Sequence, residues 1–93
     1  MPSRKKRTAE YEERIRQASS ILTTISEDNT TPRNIRRAAK EALNMLSDEK
    51  LSQGVRAVNA ISIMDDISLD PNMPPYTRTR IWNIVSLLEV IKE

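Results

Sequence analysis

The 93 residues contain no cysteine, no histidine and no phenylalanine, and glycine occurs once. The first two absences remove disulfides, Cys/His zinc sites, thiol nucleophiles, haem ligation and the usual general base near neutral pH. Gly54 alone cannot build a glycine-rich phosphate loop, which needs several side-chain-free positions in a short span. With one Trp and two Tyr, any core must be filled by Leu, Ile, Val, Ala and Met. No stretch approaches the ~20 apolar residues of a bilayer span, and no apolar segment follows the basic opening as a signal peptide requires. These absences lead us to expect a cytoplasmic protein that is not an enzyme, with no cofactor, no metal and no membrane association.

What is present is helical patterning. Hydrophobic residues make up 38% and charged residues 30%, with a net charge of only +2, so distribution matters more than total. A basic tail over residues 1–7, with Arg4, Lys5, Lys6 and Arg7 consecutive, is expected to be flexible. Thr8 then reads as a helix N-cap, followed by acids suited to the positive end of the helix dipole. Tyr11, Ile15, Ala18, Leu22 and Ile25 follow at steps of three and four, one apolar stripe of a helix over about 8–27. Thr31-Pro32 reads as N-cap and first residue of a second helix, 32–46, burying Ile35, Ala38, Ala39, Ala42, Leu43 and Leu46. Ser47 or Asp48 is expected to cap a third helix, 48–67, with a stripe of Leu51, Val55, Val58 and Ser62. Because Ala57, Ala60, Ile61, Ile63, Met64 and Ile67 widen that stripe, this helix is placed at the centre. The proline-rich turn at 70–75 ends it, and a fourth helix, 75–92, carries Ile81, Ile84, Val85, Leu88 and Ile91. Strand-type alternation is absent. The expectation is an all-α chain with one helical domain over 8–93.

Shifting the chain by 42 positions lays residues 21–46 over 63–88 without gaps. Identities fall at Ile21/Ile63, Ile25/Ile67, Ser26/Ser68, Asp28/Asp70, Pro32/Pro74, Arg36/Arg78 and Leu46/Leu88. Two amphipathic helices match apolar residues by chance, but aligned Asp, Pro and Arg are harder to obtain that way. The period and the Ile35-Arg36-Arg37-Ala38-Ala39 segment resemble HEAT-type repeats, although Thr77-Arg78-Thr79-Arg80 departs from that pattern in the second copy. The architecture expected is two tandem helical hairpins, about 8–46 and 48–92, closing as a compact four-helix bundle. By the same analogy Asp28 and Asp70 are expected to pair with Arg36 and Arg78 in a structural ladder. Asp65, Asp66, Asp70 and Asn72 superficially suggest a calcium loop, but lack its Gly and terminal Glu.

Arg33, Arg36, Arg37 and Lys40 cluster on one side of the second helix. Arg33/Arg37 and Arg36/Lys40 are like-charged i,i+4 pairs, and cations in the first turns oppose the dipole. Local stability does not account for the cluster. With Arg4, Lys5, Lys6 and Arg7 it forms a candidate surface for nucleic acid or another acidic partner. The plainer reading is a solvated face, or partners for Glu27, Asp28, Asp65, Asp66 and Asp70. Trp82, Leu87 and Val90 lie off the apolar face of the last helix and suggest self-association.

The acidic first helix, the segment TPRNIRRAAKEAL and above all MDDISLDPNMPPYTRTRIWNIVSLLE resemble the small archaeal proteins grouped as uncharacterised protein family 0147. The resemblance covers about residues 8–93. It implies an archaeal cytoplasmic protein with a compact all-helical fold, and it carries over no functional residues. The functional expectation is a non-catalytic helical adaptor for a protein or ribonucleoprotein partner. The alternative is a nucleic-acid binder acting through the tail and the second helix.

Overall fold

The apolar stripe of the first helix fixes the architecture, because its four large or small apolar steps must all be covered. In the computed structural model, which describes residues 4–92 and side chains from residue 7 onward, Ile15, Ala18, Leu22 and Ile25 are all buried. They belong to α1 (Arg4–Glu27). Three further helices complete an all-α four-helix bundle: α2 (Arg33–Ser47), α3 (Gln53–Ile67) and α4 (Pro75–Leu88). Each runs antiparallel to the next. α1 packs between α2 and α4, α2 packs most extensively on α3, and α1 and α3 face each other across the diagonal with little contact. The core is aliphatic, with Leu22, Ile35, Leu46, Met64, Ile81, Ile84 and Leu88 all at 2% exposure or less.

Several boundaries differ from the sequence reading. Helix α1 extends back to Arg4, since Arg and Lys are good helix formers and no breaker separates them from Thr8. Met1–Ser3 and the side chains of Arg4, Lys5 and Lys6 lie outside the described residues. Pro32 is the N-cap of α2 rather than its first residue, and it caps without a side-chain hydrogen bond. Helix α4 ends at Leu88. The Ile91 N–H then bonds to the Leu88 carbonyl at 3.0 Å, which folds Ile91 back to 3% exposure.

The largest correction concerns α3. It starts at Gln53, capped by Ser52, whose hydroxyl accepts the Val55 N–H at 3.3 Å. The expected stripe is not its buried face: Val55 is 40% and Val58 62% exposed, and Ser62 is exposed too. The buried residues are instead Gly54, Arg56, Ala57, Ala60 and Met64. Helix α2 likewise buries Ala38, Ala39 and Ala42. Small side chains on both helices let their axes approach closely, so the packed face is the small-residue face, not the most hydrophobic one. Helix α3 is therefore not enclosed on all sides as a central helix would be, since its outer face reaches solvent.

The three interhelical turns share one geometry. Asp28, Asp48 and Asp70 each accept the N–H two residues on, from Thr30 at 2.9 Å, Lys50 at 3.1 Å and Asn72 at 2.8 Å. Their carbonyls accept the N–H three residues on, from Thr31, Leu51 and Met73 at 3.0, 3.0 and 3.2 Å. This is the side-chain mimicry of a turn that Asp performs well. Eight residues after each Asp an arginine reaches back to the same turn. Arg36 Nε donates to the Thr31 carbonyl at 3.0 Å and Arg56 Nε to the Leu51 carbonyl at 3.1 Å. Arg78 Nη1 donates to the Ser68 carbonyl at 2.7 Å. The repeating unit is thus one helix with its turn, met at intervals of 20 and then 22 residues, which together make the offset of 42.

Candidate interaction sites

The expected Asp28/Asp70 to Arg36/Arg78 ladder does not form, because both arginines are committed to main-chain carbonyls. The carboxylates exchange across the two hairpins instead. Asp28 accepts a hydrogen bond from the Tyr76 hydroxyl, and Asp70 accepts one from the Asn34 amide. Asn34 and Tyr76 are themselves equivalent under the 42-residue offset, so the pairing is reciprocal and ties the α1–α2 turn to the α3–α4 turn at one end of the bundle. The Thr30 hydroxyl at 2.6 Å, the Tyr76 hydroxyl and the Thr30 N–H hold the Asp28 carboxyl well below the usual carboxylate range. Arg80 lies 5.0 Å over the ring of Tyr76 and supports it there. Asp65 and Asp66 are exposed, and among the described residues no group of three or more acids is placed to hold a metal ion.

A different arrangement ties the opposite end. Arg56, 9% exposed, donates from Nη1 to the Leu46 carbonyl at 3.4 Å and pairs with Glu12 of α1 at 3.4 Å. Gln53 donates to the Thr8 carbonyl and to Glu12 at 3.1 and 2.8 Å. Apolar periodicity gives Arg56 no role. Its signal was the Asp48–Arg56 spacing, the same as Asp28–Arg36 and Asp70–Arg78.

The basic cluster of α2 divides in two. Arg36 is half-buried and fixed on its turn. Arg33, Arg37 and Lys40 are exposed, and they have no hydrogen bond or ion pair among the described residues. The acids proposed as their partners do not reach them. By helical periodicity the three lie opposite the buried face, as one ridge. Arg7 is exposed as well, while Arg4, Lys5 and Lys6 lie outside the described side chains.

The suggested association patch also divides. Trp82 is 61% and Val90 44% exposed. Leu87 is half-buried and lines a hollow with Glu10, Glu13, Arg14 and Gln17 on the α1 side of α4. Trp82 stands on the other side, toward α3. Across that seam lies a groove of about 500 Å³ lined by Gly54, Val55, Val58, Ile61, Leu88 and Ile91 among others.

Fold and surfaces together define a helical bundle of repeated helix–turn units, with its chemistry spread over exposed faces. Among the described residues no helix is long and apolar enough to cross a membrane. The chain belongs to the Uncharacterised protein family (UPF0147), whose sequence profile matches residues 2–91. A UPF0147 protein of Aeropyrum pernix is 53% identical over 85 residues, covering 91% of this chain and 93% of its own. One from Sulfurisphaera tokodaii is 54% identical over 82 residues, covering 88% and 92%. The crystal structure of a UPF0147 protein from Thermoplasma acidophilum superposes with a TM-score of 0.84 at 30% identity, covering 90% of this chain and 99% of that one. The crystal structure of protein MMP1188, described as of unknown function, superposes with a TM-score of 0.83 at 54% identity, covering 86% and 91%.

Proposed function

We propose that this protein is a non-catalytic helical adaptor of the cytoplasm that binds a macromolecular partner, a protein or a ribonucleoprotein, through the outer ridge of α2. The observation carrying this reading is the set of three exposed, uncompensated cations Arg33, Arg37 and Lys40. Two of them form a like-charged i,i+4 pair near the positive end of the helix dipole, which opposes helix stability by a few tenths of a kcal/mol. No contact within the bundle offsets that cost, so the cations are best understood as reserved for an acidic surface outside it.

A second reading, direct binding to a nucleic-acid backbone, is favoured by the ridge's shape. At 1.5 Å per residue, Arg33 to Lys40 spans roughly 10 Å, a run that can meet successive phosphates. The test of both is one variant, Arg33→Gln/Arg37→Gln/Lys40→Gln. In co-purification from the source cell, the partner held by the native chain is expected to be lost from the variant. A partner retained undiminished rejects the ridge. RNA and DNA binding across a salt series separates the two readings. A steep salt slope that flattens by about 2–3 in the variant supports phosphate contact. No measurable binding at low salt rejects it.

A further inference from the structure

The face formed by α3 and α4 is built unlike the rest of the surface. Three of the chain's exposed large hydrophobics, Val55, Val58 and Trp82, stand on it at 40%, 62% and 61% exposure. Around them stand short polar residues, Asn59 and Ser62 on α3 and Thr79 and Ser86 on α4, with Asp65, Asp66 and Glu89 exposed at the margin. An exposed tryptophan beside exposed valines, ringed by polar and charged side chains, has the composition of an interface core with its rim.

Two features of that face fit one another. The groove beside Val55, Val58 and Ile91 lies at the C-terminal end of α4. Trp82 projects from the same side of α4, about two turns before Glu89, which lines the groove. A projecting indole and an apolar hollow, offset along one face, are matched to each other by a two-fold rotation about a point between them. We infer that a second copy of this chain covers the α3–α4 face in an isologous dimer, each copy placing Trp82 in the other's groove.

Charge and area agree with that occupant. The ionic groups bordering the face are of both signs, with Asp65, Asp66 and Glu89 against Arg78 and Lys92, so a copy meets no single-sign field. The α2 ridge of three cations would repel itself. Two helices of 15 and 14 residues present about 21 Å by 20 Å, or on the order of 400 Å² per copy. Over both copies that is about 800 Å², roughly half a standard specific interface and in the range of weak, transient contacts. The dimer is accordingly weak.

Trp82 is the only tryptophan, so the chain carries its own reporter. Sedimentation of the native protein from micromolar to millimolar concentration is expected to show a monomer–dimer equilibrium. Trp82 emission should shift to the blue over the same range as the indole leaves water. Trp82→Ser and Val58→Asp are each expected to weaken the dimer about thirty-fold, as for a central interface residue. Arg37→Gln, on the far ridge, leaves it unchanged. Because Trp82 and Val58 are exposed in the monomer, unaltered helical circular dichroism and thermal midpoint confirm that the variants fold. A strict monomer at millimolar concentration overturns the inference. So does a dimer in which Trp82 emission stays that of a wetted indole, or one that both variants leave intact.

Discussion

Arg56 shows how much a single residue position can be asked to do. Its guanidinium satisfies one carbonyl of the last turn of α2 (Leu46) and one of the α2–α3 turn (Leu51), and reaches Glu12 across the bundle. A buried arginine is tolerated only when its donors are used. Arg56→Met keeps the volume but strips the carbonyls and Glu12 of their partner. Urea denaturation is expected to show a loss of about 1–3 kcal/mol, the usual cost of orphaned buried acceptors. Equal stability of variant and native chain would show that the guanidinium bonds add nothing net. The position was legible only in retrospect. An arginine among small apolar residues reads as an exposed residue until the spacing to Asp48 is recognised.

At the scale of elements, the sequence conveyed four helices and the 42-residue offset, because heptad-like stripes and proline punctuation are local signals. It misplaced the start and the buried face of α3. Val55 and Val58 outrank Gly54, Ala57 and Ala60 on any hydrophobicity scale, yet close approach to the alanine-rich face of α2 selects the smaller set. Helix separation is a property of the pair, and no single stripe contains it. The polar pairing failed for a related reason. Asp28 and Arg36 are near in sequence, but the turn uses each separately and Asp28 finds Tyr76 in the other hairpin. That clamp gives the acid limb of stability a definite sign. A carboxyl held low in the folded chain contributes stability that is complete above its unfolded pKa and is lost as pH falls through the folded value. The melting temperature is therefore expected to decline as pH drops below about 4 toward the folded value. In Asp28→Asn the decline is shallower, and the gap between variant and native chain narrows with acidification. A gap independent of pH would assign the effect to geometry alone.

For the molecule as a whole, the division into two hairpins does not divide the core. Leu22, Ile35, Met64 and Ile84 come from the four different helices and form one buried cluster. Unfolding should accordingly be one cooperative transition, with circular dichroism and Trp82 fluorescence giving the same midpoint when measured at monomer concentrations. Leu22→Ala, at a fully buried position, is expected to cost about 2–5 kcal/mol and to lower both midpoints together. Separate midpoints would mean that the hairpins melt independently. The candidate surfaces were less legible than the core. The α2 cations stood out in the sequence, whereas the α3–α4 face draws its members from both sides of a turn and becomes visible only when Val55, Val58 and Trp82 are seen side by side.

The return of α4 to α1 has a kinetic consequence. Each helix–turn unit is closed by contacts that are short in sequence, such as Arg36 to Thr31 and Arg78 to Ser68. Only the α1–α4 seam joins the chain's extremes, with Arg14 donating to the Leu87 carbonyl 73 residues away at 3.4 Å. Closing a loop of that length costs roughly 1 kcal/mol more in chain entropy than closing a neighbouring pair about 20 residues apart. Other cross-bundle ties, such as Asn34 to Asp70 and Arg56 to Glu12, close loops of 36 and 44 residues, shorter than this seam. On loop-closure grounds that seam is expected to form last, after the neighbouring helices have docked. Native-state hydrogen exchange checks this: amides along the seam are expected to exchange before those of the α2–α3 pair, and equal protection would reject the order.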